Sequence, residues 1–457
     1  MFCCFTAHLS VVNGPAASDN AVSGKRHRKS GVAAIQWLRQ PRGALSMTVG
    51  VGGSSAEAEL ARMSNMVGDA VPIGRKDYSQ RIVRAQALMR EQGIGALYLD
   101  TSPNLFYFTG IDLKPSERLH GAILPADGTI IYLSPAFEEP KTRSMLEFGD
   151  DIRVWEEHED PSVLVIDTLM DLGLPPGSTV AIDPATRFFT FDGFSHRAGS
   201  RFDFVNGASI TAACRTIKSH AEIALMKIAN AITLEVHKAA ARILRKGIST
   251  GEVKNFVVEA HRRLGATLPA GAPIVLFAEA TAYPHGVDYP QTLEDGDMVL
   301  MDLGAFVGGY RSDMTRTYVF GEPNARQREV WELEKRAQAA GFAAAVLGNP
   351  CEEVDTAARR VIETAGFGPG YAVPGLPHRT GHGIGIEVHE ETYMVKGNQR
   401  SMASGMCFSV EPMICIYGEF GVRLEDCAYM TEDGPRWFTE PCASVGDPFG
   451  YERRAPR

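Results

Sequence analysis

Hydrophobic positions follow helical and strand periods in a regular order from residue 79 onward. SQRIVRAQALMREQGIGALYLD predicts an amphipathic helix that ends near Gly93, followed by a strand. GAILPADGTIIYLSP predicts two strands about a turn at Asp127-Gly128, and EDPSVLVIDTLMDLGLPPGSTVAID predicts a helix, a Pro-Gly loop and another strand. Residues 76–213 are therefore expected to form a small α/β domain, to which we assign shaping and partner contact rather than chemistry.

Capping boxes mark the helices that follow this first domain. The S-x-x-E pattern at Ser219 opens a long helix over 219–245, and the same pattern at Ser249 opens a second helix over 250–264. We place the domain boundary near Cys214.

The rest of the chain, residues 214–457, contains a weak internal duplication. Each copy has two helices and then a hairpin, at 219–245, 250–264 and 297–320 in the first copy and at 325–346, 352–364 and 406–430 in the second. Two units of one design predict a pseudo-twofold domain with a cleft between the hairpins.

The first hairpin carries two aspartates that number to a midpoint between Val307 and Gly308. We expect Asp302 and Asp313 to face each other across the strands, roughly 5 Å apart. Asp302 lies among apolar residues, so we also expect it to be buried. Two buried carboxylates at that distance repel each other unless cations lie between them.

The second hairpin repeats this arrangement with glutamates. Glu411 and Glu425 are symmetric about Gly418, so we expect them to be opposite each other as well. Surface acids or a single salt bridge could explain one pair, but two pairs at matching places in a duplicated unit favour a shared metal site. Arg423 lies two positions before Glu425 and therefore on the same face, where it could form a salt bridge to Glu425, serve the reaction, or both.

Three histidines, His378, His382 and His389, fall within twelve residues between the two hairpins. The glycines beside His382 allow the backbone to approach a neighbour closely. One histidine and four carboxylates form an oxygen-rich set that suits manganese, cobalt, iron or zinc, held as a pair of ions about 3.5–4 Å apart. Such a set does not suit a closed structural zinc site, which prefers cysteine and histidine.

A two-metal centre of this kind holds a hydroxide at neutral pH and polarises a carbonyl, which indicates hydrolysis of an amide or ester. The reaction also needs one group to stabilise the oxyanion and another to move a proton to the leaving nitrogen. His285 and His389 are the candidates. A histidine in a Pro-Gly loop, such as His285, is more often a surface residue.

Composition narrows the possible functions. The 457 residues are 44% hydrophobic and 22% charged, as in ordinary soluble proteins. The net charge of −9 gives a nucleic-acid role no electrostatic support, and no apolar run approaches the length of a membrane span. The eight cysteines show no C-x-x-C pairing, which favours buried thiols in a reducing compartment such as the cytoplasm.

The first 46 residues differ in charge from the rest. They hold six lysines and arginines against Asp19 alone, a net of +5 that leaves −14 for the remainder. A transit peptide to an organelle, a disordered tail and sequence upstream of the true start all fit, and we favour the last because the composition changes at Met47. Residues 47–74 are expected to be a loosely held lead-in, so that 1–75 lie outside the folded domains.

Four motifs, MDLGA…GYRSDMTRTY, TGHGIG…VHE, SVEP and GVRLED, resemble those of the pita-bread metallopeptidases, which include prolidase, aminopeptidase P and methionine aminopeptidase. The resemblance covers about residues 76–445. It implies an α+β catalytic domain of the creatinase/aminopeptidase type with a pseudo-twofold duplication, preceded by a smaller α/β domain. Methionine aminopeptidases lack that first domain and are therefore the weaker match.

The resemblance also implies roles for individual residues. Asp302 would bind one metal, His382 and Glu411 the second, and Asp313 and Glu425 would bridge both. Glu411 would in addition act as the acid/base partner of the bridging hydroxide.

Four further residues would serve the substrate and the metal ligands. By the same resemblance, His285 and His389 would contact the substrate and the developing oxyanion. His378 would line the pocket, and Arg423 would support the metal ligands from behind.

The implied activity is that of a Xaa-Pro dipeptidase with two divalent metal ions, manganese first among them, acting on small peptides with proline second. Aminopeptidase P, acting on longer peptides, is the near alternative. Tyr393 stands where some prolidases have an arginine, which leaves open how the carboxyl end of the substrate is recognised. The family further implies a homodimer. Lyases, creatine hydrolases and binding modules on this fold lose metal ligands or alter the VHE segment. In this sequence the five ligands and the VHE segment are intact.

Overall fold

The computed structural model describes residues 48–267 and 272–452. The expectation for residues 1–46 lies outside these ranges. The expectation of a loose lead-in is wrong for residues 48–74. Thr48 donates a buried hydrogen bond to the Gly321 carbonyl at 2.7 Å. Glu59, on helix α1 (Ala56–Ala61), is buried and pairs with Arg242 at 2.7 Å. The partly buried ion pair and the hydrogen bond hold this segment against the main body of the chain.

The first sheet is mixed and has six strands in the order β4-β3-β2-β1-β5-β6. Its strands are β1 (Ile94–Asp100), β2 (Gly121–Pro125), β3 (Ile131–Pro135), β4 (Ile152–Trp155), β5 (Ser178–Ile182) and β6 (Phe202–Asn206). The helices of this region are α2 (Arg75–Glu91), α3 (Pro103–Thr109), α4 (Glu139–Met145), α5 (Pro161–Asp171), α6 (Phe188–Ala198) and α7 (Ala208–Thr216). The predicted helix that ends near Gly93 and the predicted strands are confirmed, with Gly93 at a φ of +67°.

The next part of the chain forms the first helix–helix–hairpin unit. It comprises α8 (His220–Arg242), α9 (Thr250–Arg263), β7 (Ile274–Phe277), β8 (Met298–Leu303), β9 (Phe306–Val307), β10 (Tyr310–Arg311) and β11 (Met314–Val319). Both predicted capping boxes are present, at Ser219 and at Ser249. The hydrophobic core is continuous with that of the first sheet, since Leu97 and Leu105 belong to the same buried cluster as Met226 of α8.

The second unit repeats this order. It comprises α10 (Ala325–Ala344), α11 (Glu352–Thr364), β12 (Gly381–Gly383), β13 (Glu390–Met394), β14 (Cys407–Val410), β15 (Met413–Ile416), β16 (Phe420–Arg423), β17 (Asp426–Thr431) and β18 (Gly434–Trp437). Equivalent glycines have equivalent backbones. Gly247 and Gly348 have φ values of +81° and +83°, and Gly296 and Gly405 have φ values of +89° and +88°. The predicted duplication is therefore present in the backbone as well as in the sequence.

The register of the first hairpin differs from the prediction. Asp302 pairs with Thr315, and Val307 pairs with Tyr310, so the turn is centred on Gly308-Gly309. Both of these glycines have positive φ, as a two-residue hairpin turn requires. Asp313 consequently lies two positions from the residue opposite Asp302. Strand alternation still keeps both carboxylates on one face, as diagonal rather than direct neighbours.

The second hairpin has the predicted register. The β14–β17 pairing of Val410 with Asp426 and the β15–β16 pairing of Met413 with Arg423 share one centre at Gly418. Glu411 and Glu425 occupy the short gap between these two ladders. Neither glutamate is paired within a strand ladder, so both side chains can point towards the same site.

Six cysteines lie in the described ranges, and all are free and buried: Cys214, Cys351, Cys407, Cys415, Cys427 and Cys442. Over residues 48–267 and 272–452, no helix combines the length and apolar character needed to cross a bilayer.

Candidate metal centre

The four acidic residues and His382 meet between the two hairpins. Asp313, His382 and Glu425 each offer one ligand atom, and these atoms all lie within 4.8 Å of one another. His382 Nε2 lies 3.1 Å from Glu411 Oε1 and 3.8 Å from Asp313 Oδ2. Asp302 completes the group at hydrogen-bonding distance from Asp313. Asp302 is less buried than expected, with 20% of its side chain exposed, so the cluster is open to the cleft.

His382 presents its Nε2 atom to the carboxylates. Its Nδ1 lies 2.9 Å from the Gly383 carbonyl, which only accepts hydrogen bonds, so Nδ1 carries the proton. A metal-binding histidine commonly has its second nitrogen held in this way, because the contact fixes the tautomer and the ring orientation. His382 is 1% exposed and therefore rigidly placed.

The glycines on either side of His382 are required by the neighbouring strands. A Cβ atom on Gly381 would lie 2.1 Å from the Ser409 carbonyl oxygen, and one on Gly383 would lie 2.1 Å from the Glu391 carbonyl oxygen. The predicted close approach is therefore confirmed. It brings β14 and β13 against β12, and so sets His382 deep in the sheet.

The charges and the unpaired atoms of the cluster fit divalent cations. Burial and the charges of Glu425, Asp302 and Glu411 raise the pKa of Asp313 well above its ordinary value. Burial, Glu411 and Asp302 likewise raise the pKa of Glu425. Glu425 Oε1 is buried and has no hydrogen-bond partner among the described residues, which is unfavourable for a carboxylate oxygen unless a cation meets it. The residues present therefore fit a metal centre.

Glu411 differs from the other carboxylates. Burial acts to raise its pKa, but His382, His378 and Arg423 outweigh burial and bring the pKa to about 2. Ser409 donates a hydrogen bond to Glu411 Oε1 at 3.2 Å, and its Oγ accepts from the His382 backbone N–H at 3.0 Å. Glu411 is thus an ionised group held beside His382.

Arg423 pairs with Asp302, not with Glu425. Its Nη2 donates to Asp302 Oδ2 at 2.6 Å, its Nε donates to Thr315 Oγ1 at 3.0 Å, and its Nη1 donates to the Pro284 carbonyl at 3.0 Å. Thr315 in turn donates its hydroxyl proton to Glu425 Oε2 at 2.7 Å. The expected salt bridge to Glu425 is therefore replaced by a link through Thr315, which faces Asp302 because of the shifted register.

The other three histidines lie around the cluster. The His389 ring packs edge-on against His382, with 4.4 Å between centroids, and His389 is otherwise exposed. Partial burial against the cluster, together with His382 and Arg379, lowers the pKa of His389. His378 is partly buried, its Nδ1 donates to the Arg379 carbonyl at 2.7 Å, and its Nε2 has no partner among the described residues. His285 is exposed. Burial and the positive charge of Arg423 lower the pKa of His378.

Three supporting groups were missed by sequence reasoning. Ser409 lies two residues before Glu411, so strand alternation could have placed it on the same face. Thr315 could have been found only with the correct hairpin register. The third group is the ion pair of Asp355 and Arg359 on α11. Its i,i+4 spacing is visible in the sequence, but its contact with the backbone before His382 is not.

Buried charges also fix the VHE segment. Glu390 accepts from Arg215 at 2.6 Å and from Lys218 at 2.9 Å, and Arg215 also pairs with Glu387 at 2.7 Å. Burial would raise the pKa of Glu390, but the two cations bring it to about 2. Arg215 belongs to α7, so this network joins the first α/β region to the segment that carries His389.

A duplicated helix–helix–hairpin frame with an acidic, histidine-containing cluster between its hairpins defines a metal-dependent peptidase of the pita-bread fold. Residues 224–432 match the model of metallopeptidase family M24, and residues 81–217 match the creatinase/prolidase N-terminal domain. The chain belongs to metallopeptidase family M24.

Individual relatives agree with this assignment. A Xaa-Pro dipeptidase of Lactobacillus helveticus is 30% identical over 365 residues, which cover 78% of this chain and 95% of the relative. The crystal structure of dipeptidase PepE from Mycobacterium ulcerans is 30% identical with a TM-score of 0.75, covering 81% of this chain and 97% of that one. A prolidase from Thermococcus sibiricus is also 30% identical, with a TM-score of 0.73 and coverage of 80% and 97%.

Proposed function

We propose that this chain is a Xaa-Pro dipeptidase, which hydrolyses the bond between a first residue and a following proline. The observation that supports a hydrolytic metal centre most strongly is the meeting of His382 with the carboxylates of Asp313, Glu411 and Glu425, where Glu425 Oε1 lacks a hydrogen-bond partner among the described residues. The dipeptidase and prolidase names of its relatives support the substrate class.

In this proposal five residues hold two divalent ions. Asp302 serves one ion, His382 and Glu411 serve the other, and Asp313 and Glu425 serve both. When bound, the ions supply Lewis acidity, which polarises the scissile carbonyl and makes water a nucleophile at neutral pH. Oxygen ligands dominate the set, so we propose manganese as the native metal, with cobalt, iron and zinc as the ions to compare.

The remaining groups act on the substrate and on protons. Glu411, ionised and held by Ser409, accepts a proton from the attacking water and passes it to the leaving proline nitrogen. His389 and His285 contact the substrate and the developing oxyanion, and His378 lines the pocket. Arg423 is a positioning residue, because it holds Asp302 directly and Glu425 through Thr315.

The decisive experiment compares release of the free first residue, alanine or leucine, from Ala-Pro, Leu-Pro and Ala-Pro-Ala by protein loaded with manganese, cobalt, iron or zinc. We expect the dipeptides to be cleaved fastest with manganese. Faster cleavage of Ala-Pro-Ala would favour the aminopeptidase P alternative. That alternative stays open because position 393 holds a tyrosine where some prolidases have an arginine. No turnover of any Xaa-Pro peptide with any metal would overturn the proposal in favour of a lyase or a binding module.

We further propose that residues 76–213 and 214–457 form separate domains of a cytoplasmic homodimer. Two exposed phenylalanines on α6, Phe188 and Phe189, with 77% and 56% of their surface accessible, offer an apolar contact for a second copy. Light scattering should give twice the mass of one chain. A Phe188→Ser/Phe189→Ser variant that keeps the dimer mass would place the contact elsewhere.

A further inference from the structure

The backbone around Arg379 is held on both sides. Arg359 donates to the His378 carbonyl at 2.8 Å, and Asp355 accepts from the Thr380 hydroxyl at 2.7 Å. The Arg379 carbonyl itself accepts from His378 Nδ1 at 2.7 Å. These hydrogen bonds restrain the backbone of Arg379, which lies three residues before His382.

The Arg379 side chain lies on an aromatic ring and carries no ionic partner. Its guanidinium carbon is 4.2 Å from the centroid of the Tyr393 ring. Among residues 48–267 and 272–452, no carboxylate forms a salt bridge with it. Arg423, by contrast, is already committed to Asp302. A partly exposed guanidinium stacked on a ring is preorganised, and its planar fork suits a carboxylate.

A local irregularity places the Tyr393 ring. β12 pairs with β13 at Gly381–Met394 and again at Gly383–Glu390, so extra residues bulge out of β13 opposite His382. Thr392, within the bulge, has a φ of +93°, a strained value for a β-branched residue. Strain of this kind persists only where the surroundings enforce it, and it often marks a functional site.

Tyr393 also borders space that a ligand can enter. Together with His389, it lines a cavity of about 270 Å³ between the VHE segment and α7. A dipeptide whose scissile carbonyl lies at the metal centre ends one residue further on, within about 3.5 Å of chain. Its terminal carboxylate then lies near a cluster whose own side chains are mostly anionic, and needs a cation beside it.

We propose that Arg379, held on Tyr393, receives the C-terminal carboxylate of the dipeptide and so sets the preference for dipeptides over longer or blocked peptides. This inference rests on the proposed Xaa-Pro dipeptidase function. It names a specificity-determining residue that the motif pattern did not indicate.

The test compares Leu-Pro with Leu-Pro-amide, which differ at the carboxyl end. In manganese-loaded Arg379→Gln, we expect kcat/KM for Leu-Pro to fall about 10- to 100-fold, mainly through KM, as for loss of a charged hydrogen bond. The rate on Leu-Pro-amide should change less than about threefold. Arg379→Lys should give an intermediate loss. The control is Arg262→Gln, an arginine on α9 with 76% of its side chain exposed, which should match the wild type on both substrates.

Three results would speak against this assignment. Equal losses on both substrates would show that Arg379 only supports the fold around His378. No loss on either would show that Arg379 does not touch the substrate. If the wild type cleaves no Xaa-Pro peptide, the proposed function fails first. Calorimetric titration with proline and prolinamide then measures carboxylate binding by Arg379 without turnover. Equal affinity of the wild type for both ligands would show that Arg379 does not bind the carboxylate. Should Arg379→Gln fail to fold, Arg379→Lys carries the comparison.

Discussion

The Arg423 guanidinium of the second hairpin donates a 2.6 Å hydrogen bond to Asp302 of the first hairpin. Arg423 is almost fully buried, with 4% of its side chain exposed. The bond therefore joins the two halves of the duplication directly behind the metal centre. It also places one positive charge among four carboxylates, so the geometry of the cluster depends on a residue that we do not assign as a metal ligand.

We expect Arg423→Lys to lower activity without unfolding the protein. A lysine keeps the charge but cannot reach Asp302, Thr315 and the Pro284 carbonyl together, because it lacks the planar fork. Loss of such support typically costs about 10- to 100-fold in metal affinity or activity. Manganese titration monitored by proline release from Leu-Pro should show this loss of metal affinity or activity. Arg326→Gln, at an exposed arginine, is the control, and unchanged manganese affinity and activity in Arg423→Lys would contradict the positioning role.

Glu411→Gln should abolish turnover while the protein remains folded, as its far-UV circular dichroism spectrum should show. The change removes the ionised oxygen beside His382 but keeps the shape of the side chain. Loss of a group that transfers protons commonly costs about 10²- to 10⁴-fold. Glu419→Gln is a matched control on the same hairpin, because Glu419 is exposed and pairs with Arg326 at the surface. Near wild-type proline release by the Glu411 variant would remove Glu411 from the mechanism.

Much of this site follows from local sequence, and the exceptions have physical causes. The centre of the second hairpin at Gly418 was predictable because Glu411 and Glu425 are symmetric about that glycine. The centre of the first was misplaced by one position because Gly304, Gly308 and Gly309 all offer turn conformations, and register depends on which two adopt positive φ. The error hid Thr315, which faces Asp302 only in the true register.

Contacts between distant segments could not be predicted in the same way. The pairing of Arg423 with Asp302 spans 121 residues, and the pairing of Arg215 with Glu390 spans 175. Strand alternation gives the face on which Arg423 lies, but not which carboxylate of that face it reaches. The stacking of Arg379 on Tyr393 depends on a bulge with a strained threonine, which sequence propensities disfavour.

The buried network around Glu390 should contribute strongly to stability. We expect Glu390→Gln to lower the free energy of unfolding by about 3 kcal/mol or more, because Arg215 and Lys218 lose the charge that compensates their burial. Urea unfolding measures this loss. Glu391→Gln, at the exposed neighbour, should change stability by less than about 0.5 kcal/mol. Equal effects of the two changes would refute the network's role.

The acid response of Glu390 follows from the sign of its pKa shift. Its pKa in the folded protein is about 2, below the ordinary value of 4.5 that applies when the chain is unfolded. The unfolded state therefore binds the proton first as the pH falls. The stabilisation should be fully present above pH 4.5 and should be lost as the pH falls towards 2, so the wild type and Glu390→Gln should converge in stability over that interval.

Metal removal should expose the repulsion between carboxylates, and Glu425→Gln should relieve it. The pKa of Glu425 is raised in the folded protein, so its contribution to stability is present below the ordinary pKa and is lost as the pH rises through the folded value. Metal-free Glu425→Gln should therefore melt above the metal-free wild type at pH 8. The difference should shrink as the pH falls towards the ordinary carboxyl pKa of 4.5. With manganese present the order of melting temperatures should reverse, because the variant loses a proposed ligand to both ions. A metal-free wild type that melts above the metal-free variant at pH 8 would show that Glu425 is not repelled by its neighbours.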